Sequence, residues 1–99
     1  MNIETSFKQI TDVLGMSIVQ ETLKKLTQLE LEKYKTQMEK VKSELIPFER
    51  RFGKISQVAW EEFQRGKLGD DMDIMEWMML YENYLALEKQ YQRLIEVEF

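Results

Sequence analysis

Leu31, Tyr34, Met38, Val41, Leu45, Phe48 and Phe52 recur at alternating steps of three and four residues. On an α-helix this spacing gathers the side chains into one apolar seam, the pattern of coiled coils and helical bundles. Lys, Glu, Gln and Thr fill most of the positions between them, and no glycine interrupts the chain from Met16 to Phe52. A second set, Trp77, Leu80, Tyr84, Leu87, Tyr91 and Leu94, alternates in the same way. The pattern predicts long helices over 16–53 and 70–98, with seams on the order of 30 Å at 1.5 Å per residue. No stretch alternates with the period of two that a half-buried strand needs.

The punctuation between these seams is sparse and informative. Ser6 with Gln9 has capping-box spacing, so a short helix is expected within an N-terminal segment, 1–15, that Gly15 closes. Ser17 with Gln20 repeats the spacing and predicts a new helix beginning between Met16 and Ile18. Pro47 lies inside the first seam and removes a hydrogen bond to Ser43. Because Phe48 and Phe52 stay in phase beyond it, a kink is expected there, with a full break as the alternative. Gly53 ends the long helix, and Ser56 is the expected cap of a short helix within 55–66, amphipathic through Val58, Ala59 and Phe63. After a loop at Lys67 to Gly69, the cap of the last helix falls to Asp70, Asp71 or Asp73, the last having Glu76 at capping-box distance. Short connections between long helices make antiparallel neighbours. The expected fold is all-α: a single domain built as a long antiparallel helical hairpin, with a short helix at its tip and another at its N-terminus.

Composition fits this picture and narrows the function. At 43% hydrophobic and 32% charged, the chain is too apolar to be disordered and suits a narrow helical core. An elongated chain of 99 residues leaves apolar area for a second chain to cover. No apolar run approaches the roughly 18 residues of a membrane span, and no signal-peptide core opens the chain, so a cytoplasmic protein is expected. The net charge of −4 argues against direct nucleic-acid binding. It is unevenly placed: residues 17–54 carry nine Lys/Arg against six Glu, and residues 55–99 carry four against ten Asp/Glu. A basic arm and an acidic arm favour packing against each other, although mixed solvated surfaces would read the same way.

Candidate chemistry is thin. The chain has no cysteine and no histidine, which removes the commonest metal ligands, the thiolate nucleophile and the commonest general base. Asp70, Asp71, Asp73 and Glu76 form the one dense carboxylate group, and hard cations take oxygen ligands. Their spacing matches no EF-hand loop, and helix capping accounts for most of them. Arg50, Arg51 and Lys54 could meet phosphate, yet cations are also favoured at the helix C-terminus where they sit. With no Gly-rich phosphate loop and no nucleophile–base set, neither an enzyme nor a cofactor is expected.

The richest segment is Met72 to Tyr81, apolar on nearly every face of its helix. Such a helix must be covered all round. One side can pack on the long helix and another beneath the tip helix through Trp60 and Phe63. Any surplus would suit a protein interface, because Met adapts to partners and Trp and Tyr anchor them. Periodic apolar residues usually face a core, however, and that is the plainer reading of Trp77.

From Phe48 to Glu88 the order of motifs is distinctive: Phe48-Glu49-Arg50-Arg51-Phe52-Gly53, Ser56, Glu61-Glu62-Phe63, Gly66-Lys67-Leu68-Gly69-Asp70-Asp71, Glu76-Trp77 and Tyr81-Glu82. This run resembles small all-helical proteins of archaea and bacteria that are encoded beside toxin genes and regarded as antitoxins. Lys54-Ile55 departs from the apolar-then-hydroxyl pair expected after the glycine. The resemblance implies a non-catalytic protein that neutralises a cognate toxin, of nuclease type, by direct binding. Trp60, Phe63, Trp77, Met78 and Tyr81 would be its apolar anchors, with Asp70 and Asp71 at the rim. The alternative is a structural or adaptor hairpin that assembles with itself into a homodimeric bundle.

Overall fold

The structure, a computed structural model, describes residues 2–99, so the first residue of the expected 1–15 segment lies outside the described residues. Four helices follow one another: α1 (Ile3–Leu14), α2 (Met16–Phe52), α3 (Ser56–Gln64) and α4 (Met72–Ile95). The described residues contain no strand. The all-α hairpin is therefore the fold, with α2 and α4 as its arms and α3 at its tip.

α1 starts earlier than Ser6. Asn2 is the cap, its side-chain oxygen accepting from the Thr5 N–H at 2.8 Å. Ser6 is already in the first turns, its hydroxyl donating back to the Asn2 carbonyl at 3.2 Å. The chain then passes from α1 to α2 through one residue. Gly15 has φ of 90°, a conformation that side chains with a Cβ rarely adopt, and it ends α1 while starting α2. No side-chain cap forms on α2, so the expected Ser17–Gln20 box is replaced by this glycine hinge.

α2 is helical through Pro47 to Phe52, and the broken-helix alternative is excluded. The ring leaves the Ser43 carbonyl without its usual amide donor. The helix survives because the residues on either side of Pro47 are held in phase by tertiary contacts. Val41 and Leu45 are buried before it, and Phe48 and Phe52 both lie against Trp77 after it. Gly53 then adopts the left-handed conformation at φ 66° and donates its N–H to the Glu49 carbonyl.

α4 returns antiparallel to α2, with Trp77 beside Phe48 and Phe52, and Leu94 and Val97 beside Tyr34. The core sits at the closed end of the hairpin and comprises Val41, Leu45, Ala59, Ile74, Trp77 and Met78. Trp77 is wholly buried, its indole stacked on Phe48 and Phe52 at centroid distances of 6.2 and 5.2 Å.

Burying an indole also buries an N–H, which needs an acceptor. Trp77 Nε1 donates to Ser56 Oγ at 2.9 Å, and Ser56 Oγ donates to Glu49 Oε2 at 2.8 Å. The same carboxylate oxygen accepts the Ser56 backbone N–H at 2.8 Å. The residue capping α3 is thus Ile55, which has no side-chain acceptor, and the expected capping role of Ser56 is corrected. Glu49, projecting from α2, places a negative charge where the α3 dipole favours it. One carboxylate, one hydroxyl and one indole tie three helices together.

Ser56→Ala removes the acceptor of a buried donor without opening a large cavity. It should lower unfolding free energy by about 1–3 kcal/mol, the usual cost of orphaning such a group. Urea denaturation followed by tryptophan fluorescence measures it, and no loss would mean that the relay contributes nothing.

Candidate protein-binding site

The acidic start of α4 is occupied by local structure. Asp71 is the cap, with Oδ1 accepting from the Ile74 N–H at 3.0 Å. Asp73 is instead paired with Arg51 from the last turn of α2, which fastens the base of α4 to α2. Asp70 is exposed beside it. Among the described residues, no three carboxylates converge into a group that could hold a metal ion. Lys54 pairs with Glu62, tying the tip to α3. These partly exposed pairs orient elements more than they stabilise them, at roughly 0–1 kcal/mol each.

The apolar anchors expected from the sequence divide into two groups. Trp77 and Met78 are core residues, 0% and 2% exposed. The anchoring role expected of them is corrected to a structural one, because no partner can reach them while the hairpin is folded. Trp60, Phe63 and Tyr81 are half-buried and form an aromatic cluster under α3: Trp60 lies 6.3 Å from Phe63 and 5.8 Å from Tyr81. Tyr84 extends the cluster, 6.0 Å from Tyr81, and Lys42 sits over its ring. Tyr81 and Tyr84 also line a cleft of about 340 Å³ between α2 and α4, bounded by Leu45, Ile46 and Ile55.

The larger opening lies on the opposite flank of α4. Pro47, Phe48, Met72, Met75, Met79 and Leu80 line a groove of about 840 Å³ between α2 and α4, edged by Glu44, Glu76 and Asn83. Phe48 and Leu80 are half-buried, whereas Met72 is 85% and Met79 68% exposed. The contents are apolar and conformationally adaptable, and three unbranched thioether chains can reshape the wall around an incoming surface. Pro47 contributes twice, since the turn it occupies also leaves a backbone carbonyl short of a donor near the groove.

These groove residues were visible in the sequence as part of the Met72–Tyr81 run, yet the run did not distinguish its two faces. The signal that separates them is a second stripe, 72, 75 and 79, stepping by three and four beside the Trp77 seam. Its members are all methionine, whereas the buried face mixes Ile74, Trp77 and Met78. Comparison with family models, curated proteins and solved structures finds no match to this chain. No helix among the described residues is long and apolar enough to cross a membrane. Fold and site together define an all-α helical hairpin with an open, methionine-walled groove along one flank.

Tyr81 carries an ionisable phenol within the aromatic cluster under α3. Burial pushes its phenol above the ordinary value of 10.0, helped by Glu88, Tyr84, Glu61 and Glu49 nearby. A phenol whose pKa is raised on folding binds its proton more tightly in the native state. Its contribution to stability is complete below pH 10.0 and is lost as pH rises through the higher native value. Ultraviolet titration of the folded chain should therefore show a late-ionising tyrosine that Tyr81→Phe removes. The same substitution should flatten the alkaline fall in unfolding midpoint.

Proposed function

We propose that this chain is a non-catalytic protein-binding module that takes an apolar segment of a partner protein into the groove between α2 and α4. The observation that carries this reading is the open groove walled by Met72, Met75 and Met79 over Phe48 and Leu80. A helical hairpin has no need to leave three long apolar side chains in water beside its own well-packed core. A groove between two helices accepts an amphipathic helix, whose anchors repeat at three and four residues.

The edge of the groove and the resemblance to antitoxins support a basic protein partner. Glu44 and Glu76 edge the opening, and Asp70 and Asp71 stand exposed at the base of α4. An acidic rim around an apolar floor complements a basic partner and speeds the encounter. A toxin with a basic RNA-binding face, in the same cytoplasm, is the partner this chain would neutralise by covering that face. In this reading Asp70 and Asp71 would lie at the rim, and the groove methionines would serve as the anchors. Trp60, Phe63 and Tyr81 support the tip that holds α4 in place.

The test is co-expression with the product of the adjacent gene. The proposal expects growth arrest from the neighbour alone, rescue by this chain, and a stoichiometric complex on purification. Met75→Glu with Met79→Lys should weaken that complex by about a hundredfold, the loss of a central apolar anchor pair, while leaving the unfolding midpoint nearly unchanged. A neighbour that is harmless alone, or that does not co-purify, removes the antitoxin reading. A complex indifferent to the two substitutions removes the groove.

A further inference from the structure

At the end opposite the tip, the chain carries a second apolar surface that the groove does not use. α4 ends at Ile95, close to the level of Tyr34. The first part of α2, over residues 16–30, therefore projects beyond α4 by about 20 Å at 1.5 Å per residue. Among the helices, α1 is the one that meets this part of α2, joined to it through Gly15. These two helices form an arm with almost no interior, in which Val19 is the one buried residue.

The arm is nevertheless patterned like one half of a bundle. On α1, Ile3, Phe7, Ile10 and Leu14 step by four, three and four, and every one of them is exposed. On α2, Ile18, Leu26 and Leu29 share a face and are more than half exposed. Val13, Met16 and Leu23 lie off these stripes; the stripes themselves leave on the order of 800 Å² of apolar side chain exposed, against the few hundred ordinarily contiguous on a monomer. That is the amount each partner contributes to a standard stable interface, about 800 Å².

We propose that the arms of two copies of this chain pair, apolar stripe against apolar stripe, into an antiparallel four-helix bundle. The charge on the arm favours a second copy over a partner of opposite sign. Residues 1–30 hold three Lys and four Asp/Glu, a near balance with both signs interspersed, so like meets like without net repulsion. The surplus negative charge lies elsewhere, with four Lys/Arg against ten Asp/Glu over residues 55–99. Antiparallel pairing through the arms sends the two acidic tips to opposite ends of the dimer. They are then separated by far more than the Debye length of about 8–10 Å. Two copies of α1 and of the projecting part of α2 supply the four amphipathic helices that a bundle core requires, and a two-fold axis closes the assembly at two copies. The groove beside α4 stays open in each copy, so self-association and partner binding are independent.

Sedimentation equilibrium of the full chain, from micromolar to hundreds of micromolar, tests the proposal. The expected species is a dimer, twice the 12.0 kDa chain mass. Phe7→Glu combined with Leu26→Glu should weaken dimerisation by about a hundredfold or more, as expected for charges placed in an apolar seam. The near-ultraviolet circular dichroism of Trp77 should be retained, because neither position touches the tip core. Ile18→Lys, a single change at a 51% exposed position, should act in the same direction, so a folding failure in the double variant does not decide the matter. Met79→Lys should leave the dimer intact. A wild-type chain that remains 12.0 kDa at the highest concentration overturns the proposal. So does a dimer that survives the arm substitutions or that Met79→Lys alone dissolves.

Discussion

The hydrogen bond from the Trp77 indole to Ser56, and from Ser56 to Glu49, is the constraint on which the closed end of the hairpin depends. Trp77 offers the largest apolar surface in the core, and burying it is worth several kcal/mol. That gain is available only if its N–H is met inside. Meeting it fixes where α3 begins, because Ser56 must be in the first turn with its hydroxyl facing α4. Holding Ser56 there requires Glu49, one turn before Gly53, to reach across the connection. The left-handed turn at Gly53 is what lets the chain bring residues 49 and 56 together over so short a span. A polar chain of three residues therefore sets the geometry of the apolar core around it.

The same constraint orients α4 and so creates the groove. With Ile74, Trp77 and Met78 committed inward, the helical period turns Met72, Met75 and Met79 to the outer flank. The Arg51–Asp73 pair and the Asp71 cap hold the first turn of α4 against the end of α2. Pro47 is placed where the two helices face the groove, and its neighbours Val41, Leu45, Phe48 and Phe52 keep α2 helical around it. A proline in a helix interior costs about 3 kcal/mol by intrinsic propensity. Its survival here shows how strongly packing at the tip overrides local preference.

What could be read from the sequence was whatever depends on neighbours along the chain. The two seams, the glycine boundaries and the hairpin follow from a period of three and four interrupted at Gly15, Gly53, Gly66 and Gly69. Local signals failed where a distant residue took over a local job. Ser56 looked like a cap because it precedes an amphipathic turn, yet Glu49 performs that role and frees Ser56 for Trp77. Ser6 and Ser17 looked like caps as well, but Asn2 and Gly15 lie closer to where the backbone turns. The candidate site was legible as a segment and not as a face. Spacing places Met72 to Tyr81 on one helix without saying which flank meets α2, a question answered by where the indole finds its acceptor.

The unequal ends of the molecule carry the remaining argument. At the tip, three helices surround a core of six buried residues, and exposed apolar side chains beside it are a surplus the fold does not need. At the other end, two helices enclose only Val19, and the exposed side chains are a deficit the fold has not met. A surplus next to a stable core can stay exposed until a partner arrives, as an adaptable methionine wall suits. A deficit on an arm of two helices is different, because isolated amphipathic helices owe most of their stability to packing of the apolar face. In the proposed dimer the exposed stripes of α1 and α2 would be covered by a second identical arm, which is present whenever the chain itself is. On the two proposals the surfaces would differ in kind as well as in place, one meeting a partner that comes and goes and the other a copy that is always there.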